Sequence, residues 1–463
     1  MDYNKSKKIW LLITDGIGIK NFIYTDFMQD GTLEIWSNLS FLSKYGTYNP
    51  LPHVKVNSKT DIYKRALTKA SLKFYADQFQ DKAFLDYIFP NQYKTLKQSV
   101  KNIIVDFLAT VNQSKLGRKK LNIQYLKTMR NSNYYNACRQ QLEDEKPGFV
   151  FCTHQRALSA AVPILAARDL GIPTAAFIFS WDNLPKGNLA VPAEHYFVWS
   201  EYMKNEMLKY YPDVPVDNIH ITGTPQFIPY TDHTLVESRE VFCKANDLDP
   251  SNAFICFSGD DITTSPYDPV YLNDLAETVN EINKTSDVRY QIIFRRVPTD
   301  VSGRYDSVLY KHKNVIRSVV PIWKKLGNLE QWNAIMPTRE DLKLLVNTVR
   351  YSDVVVNVGS TMALDFAILD KVACYINYNV GDVTKWNIHR IYNFIHFRSK
   401  KGLDPLYWIN SKEEMKEKIL AALEDKENKL PDAKKWLEII ATHPLKDANK
   451  RLSTTIESIM ETV

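Results

Sequence analysis

The feature that most constrains this chain is a series of short apolar runs that do not alternate with polar residues. Ile9–Thr14, Gly148–Cys152, Thr174–Phe179, Tyr196–Trp199 and Ile219–Thr222 lie in the first half. Phe254–Phe257, Tyr290–Phe294, Asn333–Met336, Val354–Asn357 and Ala373–Ile376 lie in the second. A strand with one wet face alternates, whereas a run that is apolar throughout fits a parallel strand covered on both faces. Amphipathic stretches at Gln155–Asp169, Pro269–Ile282, Arg339–Val349 and Ser411–Leu423 lie between many of these runs. Strand and helix in alternation imply right-handed crossovers and an α/β layer structure. The two series part near "ITGTPQFIPYTDHT", punctuated by Gly223, Pro225 and Pro229. A chain of 463 residues is too long for one ordinary core. The expected fold is α/β, with two doubly wound, Rossmann-like parallel-sheet domains facing across a cleft. The first is expected over residues 1–225, a hinge over 226–250 and the second domain over 251–430. Residues 431–463 are expected as C-terminal helices packing back on the first domain. Ligands of open parallel sheets bind beyond the carboxyl ends of the strands, which makes that cleft the expected site.

Residues from about 45 to 140 break the alternation and read as a helical insertion, a device that often builds a substrate-specific wall. Between Asn91 and Gln140, ten Lys and Arg residues face only Asp106, and the whole chain has a net charge of +6. Such a block is either a solvated face or a surface for phosphates or an anionic membrane. With 44% hydrophobic and 24% charged residues the composition is that of a soluble globular protein. No apolar run approaches the roughly 18–20 residues needed to span a bilayer. "MDYNKSKKIWLLITDG" lacks a cleavage site and reads as a first buried strand, so a cytoplasmic location is expected, peripheral at the inner face of the plasma membrane. The five cysteines, Cys138, Cys152, Cys243, Cys256 and Cys374, form no CxxC pair and read as buried thiols. No histidine has metal-ligand spacing, and no metal or other cofactor is expected.

Three stretches can carry chemistry in the second half. Val354–Asn357 runs into Gly359-Ser360-Thr361 and then a helical pattern. A helix N-terminus exposes unpaired N–H groups, so this turn is an expected seat for a diphosphate, with Asp365 one turn further on for a ribose. "YQIIFRRVPTD" ends a strand in Arg295-Arg296, whose forked guanidinium groups suit phosphate oxygens. Phe254–Phe257 ends at "SGDDITTSPYDP", where Ser258 and Gly259 can bring N–H groups to the same place and Asp260 or Asp261 can hold a sugar hydroxyl. Met336 and Pro337, at the end of a further strand, can read a nucleobase edge.

"SDVVVNVGSTMALDFAILDKVACYI", "FRRVP", "HYFVWSEYMKNEM", "IHITGTPQF" and "LGIPTAAFIFSWDNLPKGN" together resemble GT-B glycosyltransferases that build bacterial surface polysaccharides. They are also similar to CDP-glycerol glycerophosphotransferases, which share the fold. The resemblance covers most of residues 148–425. It implies metal-independent, inverting transfer of a sugar from a UDP- or GDP-linked donor to a hydroxyl of a glycan or lipid-diphosphate-linked acceptor, with no nucleic acid involved.

An inverting transfer needs a base in the first domain. Three residues at strand ends qualify: Asp15 in "LLITDGIGIKNF", Asp182 in "SWDNL", and His154 after "FVFC". The expected order is Asp15, Asp182, His154, because the first strand ends centrally in this fold. Trp181 and Trp386 can stack on a ring, and His389 resembles a recurrent His of the fold. The rivals are transfer of CDP-activated glycerol or polyol phosphate and an inactive scaffold. A nucleotide-sugar 2-epimerase shares the fold but would want clustered acids and histidines, which the sequence does not display.

Overall fold

The computed structural model describes residues 8–28, 31–52, 57–88, 95–325 and 335–462. The chain forms two compact units. The first comprises Met1–Pro225, Phe394–His396 and Ile440–Val463, and the second Gln226–Asn393 and Phe397–Ile439.

The first unit is built on seven strands, β1 (Ile9–Ile13), β2 (Leu33–Ser37), β3 (Tyr48–Pro50), β4 (Phe149–Cys152), β5 (Thr174–Phe177), β6 (His195–Val198) and β7 (Ile219–Ile221). They pair in the order β3-β2-β1-β4-β5-β6-β7, all parallel. β1, β4 and β5 are buried along their whole length. β2 and β3 escaped the sequence reading because each carries a polar residue. Glu34 of β2 accepts from Trp10 Nε1 at 2.8 Å and from Asn49 Nδ2 of β3 at 2.8 Å. The region read as an insertion supplies β3 and then the helices Ser58–Gln78, Leu96–Val111, Lys115–Arg130 and Asn133–Glu145. Ala66, Leu67, Ala70, Val105, Ala109 and Leu121 close the small core among the first three of these helices.

The second unit has six parallel strands, β8 (Ala253–Ser258), β9 (Tyr290–Arg295), β10 (Ile316–Ser318), β13 (Val354–Asn357), β14 (Ala373–Ile376) and β15 (Leu406–Ile409), in the order β10-β9-β8-β13-β14-β15. Between β10 and β13 lies an antiparallel ribbon of β11 (Trp323–Lys325) and β12 (Ile335–Pro337). The apolar run expected as a parallel strand over Asn333–Met336 is therefore part of this ribbon, and residues 333 and 334 lie outside the described residues. Residues 226–250, expected as a hinge, pack within the second unit. Phe242, Cys243 and Leu248 share a cluster with Phe254, Ile293 and Val319. Asn347 accepts from Glu237 N and donates to Leu235 O.

The C-terminal residues divide. Trp436 donates to Ser399 in the second unit, whereas Thr442 N donates to Trp199 O and Arg451 Nε to Thr222 O in the first. All five cysteines are buried and free. Among the described residues no helix is long and apolar enough to cross a membrane.

Candidate functional site

In the first unit the polar residues gather at the carboxyl ends of β1, β4 and β5. Asp15 follows β1 and caps the turn Gly16–Gly18, its Oδ1 accepting from Ile17 N at 2.9 Å and Gly18 N at 3.0 Å. Its Oδ2 lies 2.6 Å from His154 Nδ1. This approach of the two loops needs glycine at position 18, because a Cβ there would sit 2.5 Å from Thr153 Oγ1. Burial works against ionisation of Asp15, but the adjacent His154 ring and the two amides hold its pKa below the usual carboxylate range. The His154 ring meets the Phe179 ring edge-on at 3.9 Å between centroids. Its side chain is 20% exposed. The two residues that the sequence reading ranked as rivals are thus a single pair. Both Asp15 oxygens are engaged, Oδ1 by the two amides and Oδ2 by His154 Nδ1.

The expected helix start at Gln155 is displaced to Leu158 because Gln155 is used elsewhere. Its Oε1 accepts from Phe179 N at 3.1 Å, tying the β4 loop to the β5 loop. Asp182, ranked second among the base candidates, accepts from Ser180 Oγ and Asn183 Nδ2 and pairs with Lys186 Nζ. Burial opposes its ionisation, but the paired Lys186 ammonium and the Ser180 hydroxyl hold it well below the usual range, which makes it a poor proton acceptor. Trp181 is buried against the edge of His396.

In the second unit the ends of β8, β9 and β13 carry the residues expected to bind a donor. Several of them are engaged inside the protein. Arg295 Nη2 lies 2.9 Å from both oxygens of Asp341, which also accepts from Ile322 N and Trp323 Nε1. The expected open guanidinium clamp is therefore corrected for that nitrogen, since a buried guanidinium requires a counter-charge. Asp365, expected to meet a ribose, is buried beside Tyr230, whose hydroxyl pKa burial and that carboxylate push well up. Gly359 has φ 72°, a left-handed conformation that suits glycine. Ser360 N donates to Asn357 Oδ1 at 2.8 Å, and Met362 N to Ser360 Oγ at 3.4 Å. The helix after Thr361, Met362–Ile368, has only seven residues. A short helix whose first amides are bonded internally offers a weaker anion seat than the sequence pattern implied.

What the corner does expose as unmet capacity is different. Arg295 Nη1, Arg296 Nε and Asn357 Nδ2 are buried donors without a hydrogen-bond partner. Buried polar groups are almost always paired, so three such donors at the ends of β9 and β13, the two strands that flank β8, call for an acceptor. Asn357 was missed as a site residue, although a polar residue closing an all-apolar strand was its signal. Ser258 is buried at the end of β8. Gly259 N continues the ladder to Arg295 O, and a Cβ on Gly259 would lie 2.8 Å from Tyr305 Oη. Burial and the neighbouring Asp268 and Asp261 push Asp260 well above the carboxylate range. Asp261 is occupied by Thr263 and Thr264 of its own turn. Met336 and Pro337 are buried in β12. Trp386 donates to Thr264 O, and His389 is exposed.

No protein-family model matches the chain, and no curated protein sequence matches it. Solved structures do. A UDP-GlcNAc 2-epimerase from Neisseria meningitidis bound to UDP-GlcNAc is 11% identical, with a TM-score of 0.54 over 97% of this chain and 100% of that one. The UDP-GlcNAc 2-epimerase from Methanocaldococcus jannaschii is 12% identical, with a TM-score of 0.52 over 97% of this chain and 99% of that one. A glycosyltransferase from Rickettsia africae is 11% identical, with a TM-score of 0.51 over 99% of each chain. None of the three is a CDP-glycerol glycerophosphotransferase, the other group that the sequence resembles. At such identities the likeness is one of fold: the chain is an α/β protein with two Rossmann-like parallel-sheet units of the GT-B type.

Proposed function

We propose that the protein is an enzyme acting on a UDP-linked sugar, and specifically a glycosyltransferase that inverts the donor carbon. The observation that carries this reading is the Asp15–His154 pair at the carboxyl ends of β1 and β4. With Nδ1 held by a carboxylate, the ring presents Nε2 as a proton acceptor in a fixed direction. In the reaction, His154 Nε2 takes the acceptor hydroxyl proton as the new C–O bond forms. The bond from the sugar carbon to the diphosphate breaks, and UDP leaves. The unmet donors Arg295 Nη1, Arg296 Nε and Asn357 Nδ2 support a diphosphate site in the second unit, flanked by Ser258, Gly259, Gly359, Ser360 and Thr361. A thermal-shift screen of UDP, GDP, CDP and CMP tests the donor. UDP is expected to raise the transition most, since ligand at a hundred times its Kd stabilises by about 2.7 kcal/mol. A larger shift with CDP would move the reading to polyol-phosphate transfer, and no shift with any of them would favour a scaffold.

A second reading, a UDP-sugar 2-epimerase, gains from two observations. Two of the three structural neighbours are such enzymes. The fold also brings Asp182 within electrostatic reach of Glu206 and His396, a clustering that the sequence did not display. Incubation with UDP-GlcNAc alone separates the readings. An epimerase interconverts the sugar with no acceptor present, whereas a transferase releases UDP in proportion to added acceptor.

The membrane side of the reading rests on the helix Leu96–Val111. Leu96, Val100, Ile103, Ile104, Phe107 and Val111 are exposed on one face, while Asn102, Val105 and Ala109 on the opposite face are buried. Exposed Lys97, Lys115, Lys119, Lys120 and Lys127 accompany this apolar stripe on the same helix and the next. An apolar stripe bordered by lysines suits an anionic lipid surface. Sedimentation with anionic vesicles but not neutral ones is expected, and Phe107→Glu should abolish it. Equal recovery with both vesicle types would remove the membrane from the reading.

A further inference from the structure

A group of cations in the first unit lacks the anions to match it. Arg156 lies at the end of the β4 loop, Lys186 follows the β5 loop, and Lys64 lies on the helix Ser58–Gln78. Lys64 Nζ is 3.4 Å from Arg156 O, and Arg156 Nη1 is 3.3 Å from Asn183 Oδ1. Lys186 pairs with Asp182. Among the described residues no carboxylate lies within ion-pair distance of Lys64 or Arg156. Asp61, the acid whose charge Lys64 feels, is itself paired with Lys101 at 2.5 Å.

The remaining titratable neighbours do not supply the missing charge. Glu206 is 6% exposed and both its carboxyl oxygens lack a hydrogen-bond partner. Burial raises its pKa to about 8, so it is largely protonated at neutral pH. Burial lowers His396 to about 4, leaving it neutral. Tyr87 and Tyr211 are pushed well above their usual value by burial and are also neutral. Burial depresses Lys64 to about 8 and lowers Arg156 and Lys186 as well. All three cations are nonetheless only partly buried, so a ligand can reach them. Three cations with one carboxylate leave about two positive charges unmatched in a desolvated place, which is costly unless a ligand completes it.

We propose that Lys64, Arg156 and Lys186 form a binding site for a doubly charged phosphoryl group carried by the acceptor. The guanidinium fork and two ammonium groups suit phosphoryl oxygens, and two unmatched charges suit a dianion. Arg156 is two residues from His154, and the Gln155–Phe179 and Arg156–Asn183 hydrogen bonds lock the two loops together. The acceptor phosphate would thus be held beside the base. This inference rests on the glycosyl-transfer reading for its identification of the ligand as an acceptor, and not for the site itself.

The test is calorimetric titration of the full chain with inorganic pyrophosphate and, in parallel, malonate, each with and without saturating UDP. Pyrophosphate is expected to bind in the presence of UDP, and malonate at least tenfold more weakly. Arg156→Gln and Lys64→Gln are expected to weaken pyrophosphate tenfold or more while UDP affinity stays unchanged. Lys64→Arg, which keeps the charge, is expected to retain binding and guards against a folding defect. No pyrophosphate binding to the unaltered protein with UDP present, equal or tighter binding of malonate, or binding unchanged in Arg156→Gln would overturn the proposal. If UDP itself does not bind, the donor reading fails, while the titration without UDP still reports on the cation cluster.

Discussion

His154→Gln is expected to lower turnover by about 10²–10⁴-fold, the range that a positioned general base contributes. Glutamine keeps roughly the volume of the ring and can still bond to Asp15, but it has no lone-pair nitrogen to accept the acceptor proton. UDP affinity should be unchanged, since the residues proposed for the nucleotide belong to the second unit. Asp15→Asn should give a smaller loss in the same parameter. It leaves the amides of Ile17 and Gly18 an oxygen to bond, but it removes the charge that favours the oriented, proton-accepting ring. The readout is initial rate at saturating donor across a pH series. Full activity in His154→Gln would remove His154 as the base and return the search to the other strand ends.

Asp341→Ala is expected to destabilise the second unit by about 3–5 kcal/mol, the usual cost of stranding one partner of a buried ion pair. Arg295 is 7% exposed and Asp341 4% exposed, so water cannot replace the lost carboxylate. The same substitution frees Ile322 N and Trp323 Nε1, which anchor the start of the β11–β12 ribbon. Urea unfolding followed by a probe in the second unit measures the effect, because a chain of two units need not unfold in one step. Replacing both partners, Arg295→Met with Asp341→Leu, should recover much of the stability. A single variant as stable as the unaltered protein would show that the pair is not desolvated as described.

The parallel strands were legible because burial on both faces leaves a local mark, an unbroken apolar run, as in Phe149–Cys152 or Val354–Asn357. β2 and β3 left no such mark, since Glu34 satisfies Trp10 and Asn49 inside the sheet and so interrupts the pattern. The ribbon strand Ile335–Pro337 has the same apolar signature as a parallel strand, and only its pairing with β11 distinguishes it.

The sequence by itself determined that this is a two-sheet α/β chain and that its polar strand ends are where chemistry can occur, because hydrophobic patterning and turn residues act over a few neighbouring positions. Only the tertiary structure decided which of those polar groups remain available. Asp15 meets His154 across 139 positions and Arg295 meets Asp341 across 46. Lys64, Arg156 and Lys186 become a cluster only when β4, β5 and the helix Ser58–Gln78 are assembled. Ionised side chains choose partners by distance in space, and that distance is set by strand order, which no local stretch of sequence contains.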